Sequence, residues 1–203
     1  MSRFKSIINQ ITSLCGGLWV ILLAPIVLAT CSALHLPTVV SVGLLLIIVG
    51  YALYYFKPGL PEISFGGIIT LSVTLLLLLV YQMVVNYILQ HFGITLGNQE
   101  DVKQLFKNNP IIMCVYGIVV APVIEELVCR LHVFRHISNP AWAVTISILL
   151  FALLHGFGVV SIIVYGGMAL FLITIYQYYG IWYSIALHVL NNILAFAIIA
   201  GLL

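Results

Sequence analysis

The sequence predicts an all-α, polytopic membrane bundle of about seven transmembrane helices. Three observations carry that prediction. Of the 203 residues, 64% are hydrophobic and only 6% are charged, with a mean hydropathy of +1.25. A soluble domain carries roughly a quarter charged residues, so a water-soluble globule is excluded. The apolar residues come in runs of about 20, the length that crosses a bilayer at ~1.5 Å rise per residue, and short polar or proline-broken segments separate them. Seven Lys and Arg against five Asp and Glu leave a net charge of +2 with no basic run, which also excludes nucleic acid as a partner and disorder as a state.

The elements follow in order. Arg3 and Lys5 precede an apolar run over 18–34, in the manner of a signal peptide. Leu28-Ala29-Thr30-Cys31 approaches a lipoprotein cleavage box, but Thr30 stands where a smaller residue is usual, and further spans follow it. The run is therefore expected to stay as a first span over 17–36, with a second over 38–56. Lys57-Pro58-Gly59-Leu60-Pro61-Glu62 breaks the chain before a third span over 66–89. The hydrophilic stretch 90–109 carries Glu100, Asp101, Lys103 and Lys107 and reads as a loop or surface helix. A fourth span covers 111–136. Ser138-Asn139-Pro140 is a tight turn, because proline restricts its predecessor and cannot donate into a helix. Spans over 141–155, 159–179 and 181–203 complete the set, with Gly156-Phe157-Gly158 as the break between the first two. Loop cations favour a cytoplasmic N-terminus: Arg3, Lys5, Lys57 and Arg135 fall on one side, Lys103 and Lys107 on the other. Cys15, Cys31, Cys114 and Cys129 show no metal-binding spacing and read as small apolar fillers.

With so few charges, their placement is informative. Glu125, Glu126, Arg130 and Arg135 lie within eleven residues of an otherwise apolar stretch. An ionised carboxylate inside a bilayer costs about 2.5–3.5 kcal/mol on insertion scales, so such groups face a cavity or a partner. Adjacent helical residues point ~100° apart, which gives the two glutamates different surroundings. Glu126 and Arg130 are spaced i,i+4 with the acid first, the favourable order for an ion pair. Glu125 is left without a local cation.

Two more polar pairs occur in later spans. Phe151 and His155 are one turn apart, and so are His188 and Asn192. Counting helical rise from the cytoplasmic turns puts Glu125 at ~20 Å, His155 at ~24 Å, His188 at ~12 Å and Asn192 at ~18 Å. Hairpin folding then brings all four to comparable depth. A desolvated carboxylate is a stronger base than one in water, so Glu125 suits proton abstraction from a water that His155 helps to hold. His188 and the Asn192 amide suit an oxyanion. This is amide hydrolysis without a covalent intermediate. Serine catalysis lacks a GxSxG or SxxK context, and a Cys129 thiolate would be suppressed by Glu125 one turn away.

Glu-Glu-x-x-x-Arg at 125–130, Phe-x-x-x-His at 151–155 and His-x-x-x-Asn at 188–192 resemble the three motifs of the CAAX protease and bacteriocin-processing (CPBP, or Abi) family, in the same order and spacing. Gly166-Gly167 and Gly180-Ile181-Trp182 resemble the family's approach to its last motif. The resemblance implies an intramembrane glutamic endopeptidase with a four-helix catalytic core over 111–203, behind N-terminal helices over 1–110 that serve as scaffold or substrate access. It implies Glu125 as base, His155 as its partner on the water, and His188 with Asn192 as the oxyanion site. Glu126, Arg130 and Phe151 are supporting residues, and no cofactor or metal is implied. The implied partners are a peptide or protein substrate at the membrane and the bilayer itself. Short members resemble bacterial self-immunity or processing factors, others prenyl-protein proteases. Leu131 departs from the family, where many relatives have Gly after the motif Arg. Asn191 matches no motif position and reads as helix packing, and His132 and His136 as interfacial residues. Two rival readings remain: a non-enzymatic immunity or receptor protein, and a zinc protease built on Glu125, His155 and His188, for which no HExxH motif is present.

Overall fold

A computed structural model describes residues 12–94 and 97–202, which form helices and no strands; 85% of the described residues are helical. Arg3 and Lys5, on which the orientation partly rests, lie outside the described residues. Eight helices follow one another. They are α1 (Thr12–Ala33), α2 (Thr38–Phe56), α3 (Phe65–His91), α4 (Gly97–Asn108), α5 (Pro110–His136), α6 (Pro140–His155), α7 (Val159–Tyr179) and α8 (Ile181–Ile199). Six are long and apolar enough to cross a membrane, and α6 is a shorter apolar helix of 16 residues. The chain is an integral, multi-pass membrane protein. The hydrophilic stretch 90–109 contains α4 rather than a plain loop, and the last helix stops at Ile199.

Local chemistry sets the helix ends. The Ser64 hydroxyl accepts from the Gly67 N–H at 3.1 Å and starts α3; Asn139 accepts from Trp142 N–H at 3.2 Å, with Pro140 in the first turn, and starts α6. Arg135 donates to the carbonyls of Phe56 and Lys57, which closes the last turn of α2 and places the ends of α2 and α5 together. Gly180, at φ +87°, makes the turn from α7 to α8 that a side chain would resist.

α5 is the central element. It packs against α1 and α2 on one side and against α6 and α8 on the other, while α3 lies against α7 and α8. The seam between α3 and α7 is close: a Cβ at Gly167 would run into the ring of Tyr81, whose hydroxyl donates to the Ile163 carbonyl at 2.5 Å. One end of the bundle gathers Lys57, Arg135 and the start of α1, where Tyr55 donates to the Gly16 carbonyl at 2.9 Å and His132 bonds Leu14 O at 2.9 Å.

α5 is not a uniform α-helix. Wide π segments cover Val115–Val120 and Leu127–His132, and α7 has another at Ile162–Gly166. The first has a local cause. The Pro122 ring would crowd the carbonyl four residues back, and Pro122 has no N–H to give. The Ala121 N–H reaches Tyr116 O, five residues back, so the Gly117 carbonyl is left without a donor from its own helix. Such wide turns concentrate at functional sites.

Candidate active site

The two adjacent glutamates of α5 lie between its two π segments and face different partners. Glu126 is fully buried. Its Oε2 is 3.2 Å from Arg130 Nε and accepts the Ser184 hydroxyl at 2.5 Å, while Oε1 is 3.0 Å from His188 Nδ1. Arg130, also fully buried, lays its guanidinium over the Phe151 ring at 4.3 Å. Phe151 packs edge-on to His188 at 5.6 Å between ring centroids and touches the His155 ring at 4.7 Å. Glu126 thus joins α5 to α8, and Arg130 joins the same point to α6.

Glu125 stands apart from that network. Its side chain keeps 16% of its surface accessible, and so does its neighbour His155, at 18%. Glu125 Oε2 lies 3.9 Å from His155 Nε2 and 3.8 Å from His188 Nε2. Neither distance is a direct hydrogen bond, but both suit one small molecule shared among the three groups. His155 Nδ1 is 2.9 Å from Phe151 O, and a carbonyl can only accept, so Nδ1 carries the proton. His188 Nδ1 is fixed the same way by the Glu126 carboxylate. Both imidazoles therefore turn Nε2 toward Glu125, and Nε2 donates only when the ring is an imidazolium. The His155 ring is itself stacked on Tyr165, at 4.3 Å between centroids and 24° between planes.

The structure brings Glu125, His155 and His188 together, with Glu126, Arg130 and Phe151 around them. Asn192 sits one turn beyond His188, and its Nδ2 donates to the Gly117 carbonyl at 2.7 Å. This is the carbonyl orphaned by the wide turn before Pro122, so the amide serves α5 as a backbone donor. Its second N–H remains for other use. Among the described residues no three His, Cys, Asp or Glu side chains are grouped to hold a metal ion.

Residues 107–194 match the family profile described as type II CAAX prenyl endopeptidase Rce1-like. The match covers 88 of the 203 residues, and that segment is similar to the CPBP family. No curated protein and no solved structure gives a significant match. The matched segment begins at the end of α4 and holds all three polar pairs, while α1–α3 lie outside it.

Two members of the site were not singled out from the sequence. Ser184 is four residues before His188 on the same face of α8, a spacing that marks it once Glu126 is known to be its partner. Tyr165 carries no sequence signal, because its position depends on the π segment of α7.

Proposed function

We propose that this protein is an intramembrane endopeptidase of glutamic type that acts without a metal ion. The observation that carries the reading is the near-equal spacing of Glu125 Oε2 from two imidazole Nε2 atoms, 3.9 and 3.8 Å away, inside an otherwise apolar bundle. A water bonded to Glu125 and His155 gives a proton to the carboxylate as its oxygen adds to the scissile carbonyl carbon. The oxyanion so formed is met by His188 as an imidazolium, held by Glu126, and by the free N–H of Asn192. The carbon–nitrogen bond then breaks, and the proton on Glu125 passes to the leaving amine. Two products result, a carboxylic acid that keeps the second proton of the water and an amine.

The division of labour between the glutamates supports this assignment. Glu126 is saturated by Arg130, Ser184 and His188, which fits a positioning role, whereas Glu125 has accessible surface and no hydrogen-bonded partner among the described residues. The substrate class that fits the family is a peptide or protein at the membrane, with prenylated proteins and peptides of bacteriocin self-immunity or processing as its two branches. A cytoplasmic N-terminus belongs to the same reading, supported by Lys57 and Arg135 gathering at the end of the bundle where α1 begins.

The test uses the full chain in proteoliposomes with a fluorogenic membrane peptide. Glu125→Gln is expected to lower turnover by about 100- to 10,000-fold while expression and melting stay unchanged. A fully active Glu125→Gln protein sinks the mechanism. Loss of wild-type activity on chelation, restored by zinc, returns the zinc reading; protection in an immunity assay that survives Glu125→Ala and His188→Ala returns the non-enzymatic one.

A further inference from the structure

Tyr165, whose ring stacks on His155, is also a wall of a cleft of about 180 Å³ between α3, α7 and α8. Three amide side chains line that cleft, Gln82 and Asn86 from α3 and Asn191 from α8, beside the apolar Val85, Val164 and Met168. No acidic, basic or histidine side chain lines it. Asn191 is only 6% exposed, and its Oδ1 has no hydrogen-bond partner among the described residues. An unpaired amide in an apolar setting is costly unless something completes it.

The chemistry of the lining selects the occupant. A hydrocarbon tail would leave the Asn191 Oδ1 unpaired and offer the Asn86 amide nothing, and a phosphate headgroup would find no cation. A peptide brings N–H and C=O groups for the amides and an apolar side chain for Val85, Val164 and Met168. A dry cavity of about 150 Å³ holds a benzene ring, so this volume suits one large side chain with its adjoining amide. Resting on the peptidase reading, we propose that this cleft is the subsite for one large apolar residue flanking the scissile bond, its backbone held by Gln82, Asn86 and Asn191. Two of its three amides then come from α3, outside the matched segment 107–194, and α3 takes part in choosing the substrate.

Binding can be tested apart from cleavage. Full-length Glu125→Gln protein in phosphatidylcholine vesicles is exposed to an apolar membrane peptide of about 20 residues carrying one photoreactive phenylalanine, moved along its length. At one position the label is expected on α3 and α8 around Asn86 and Asn191. Val85→Trp, which fills the cleft, is expected to lower that labelling about tenfold, and Met168→Ala to favour a bulkier residue by a similar factor. Labels elsewhere, labelling indifferent to both variants, or displacement of the peptide by a photoreactive fatty acid would overturn the proposal. In protein that retains Glu125, Val85→Trp is expected to shift cleavage about tenfold from large toward small flanking residues. Cleavage with unchanged preference sinks the cleft and spares the peptidase; labelling of the cleft by a protein that never cleaves does the reverse.

Discussion

The two halves of the bundle use the same apolar residues for different ends. In the most apolar stretches of α1, α2 and α3, 28, 28 and 17% of residues are buried, against 50, 50 and 44% in α5, α7 and α8. Residues such as Leu76, Met83 and Tyr87 turn 63, 70 and 73% of their surface outward on α3. Lipid tails are as apolar as leucine, so such faces gain little by being covered. The C-terminal helices bury polar groups instead, and each has to be matched inside the protein. Hydrophobicity therefore places both halves in the bilayer, but polar pairing holds the second one together.

The largest expected effect lies in the buried pair. Glu126→Ala should destabilise the protein by about 3–5 kcal/mol, because Arg130 is left as an uncompensated buried charge. Replacing both, as Glu126→Leu with Arg130→Met, should recover much of that stability without restoring cleavage. Thermal unfolding in detergent together with peptide cleavage separates the two outcomes. A single variant as stable as wild type would mean that polar pairing does not hold this half.

Ser184→Ala comes next. It removes one hydrogen bond to a carboxylate, a loss of about 1.5–3 kcal/mol, and loosens the group that aims His188. Turnover should fall more than substrate affinity, and Ser184→Thr should recover part of it. A stability loss with unaltered kinetics would assign Ser184 to packing alone.

At the seam between the halves, Gly167→Ala forces a methyl against Tyr81 and should cost at least about 1 kcal/mol, as overpacking does. Disulfide cross-linking of cysteines placed on α3 and α7 would report the loosening as a slower reaction. The smallest effect belongs to the lipid-facing shell. Leu76→Ala should stay within about 0.5 kcal/mol of wild type in the same unfolding assay. A change as large as that of Ser184→Ala would mean that α3 has a partner on its outer face.

The ends of the spans were legible because proline, glycine and caps mark them. Helices α2 and α7 have the bounds read from the sequence, 38–56 and 159–179, and the others differ by a few residues, the first by five at its start. The polar pairs were legible for the opposite reason, since a charge or histidine stands out in a chain with so few. The wide turns were not. A π segment changes which face a residue presents, and uniformly apolar neighbours leave no periodicity to betray the shift. That hid Tyr165 and the commitment of Asn192 to Gly117. Asn191, read as helix packing, lines a cleft whose other wall is α3, a contact between segments more than a hundred residues apart.

The missing N–H of Pro122 links two positions 70 residues apart in the chain. Any other residue at 122 would offer a backbone donor to the Gly117 carbonyl and release the Asn192 amide that now serves it. The two positions are then expected to co-vary among related sequences, with proline at the first accompanying an amide at the second. A change at 122 would alter the active site from within the backbone, without touching a side chain that meets the substrate.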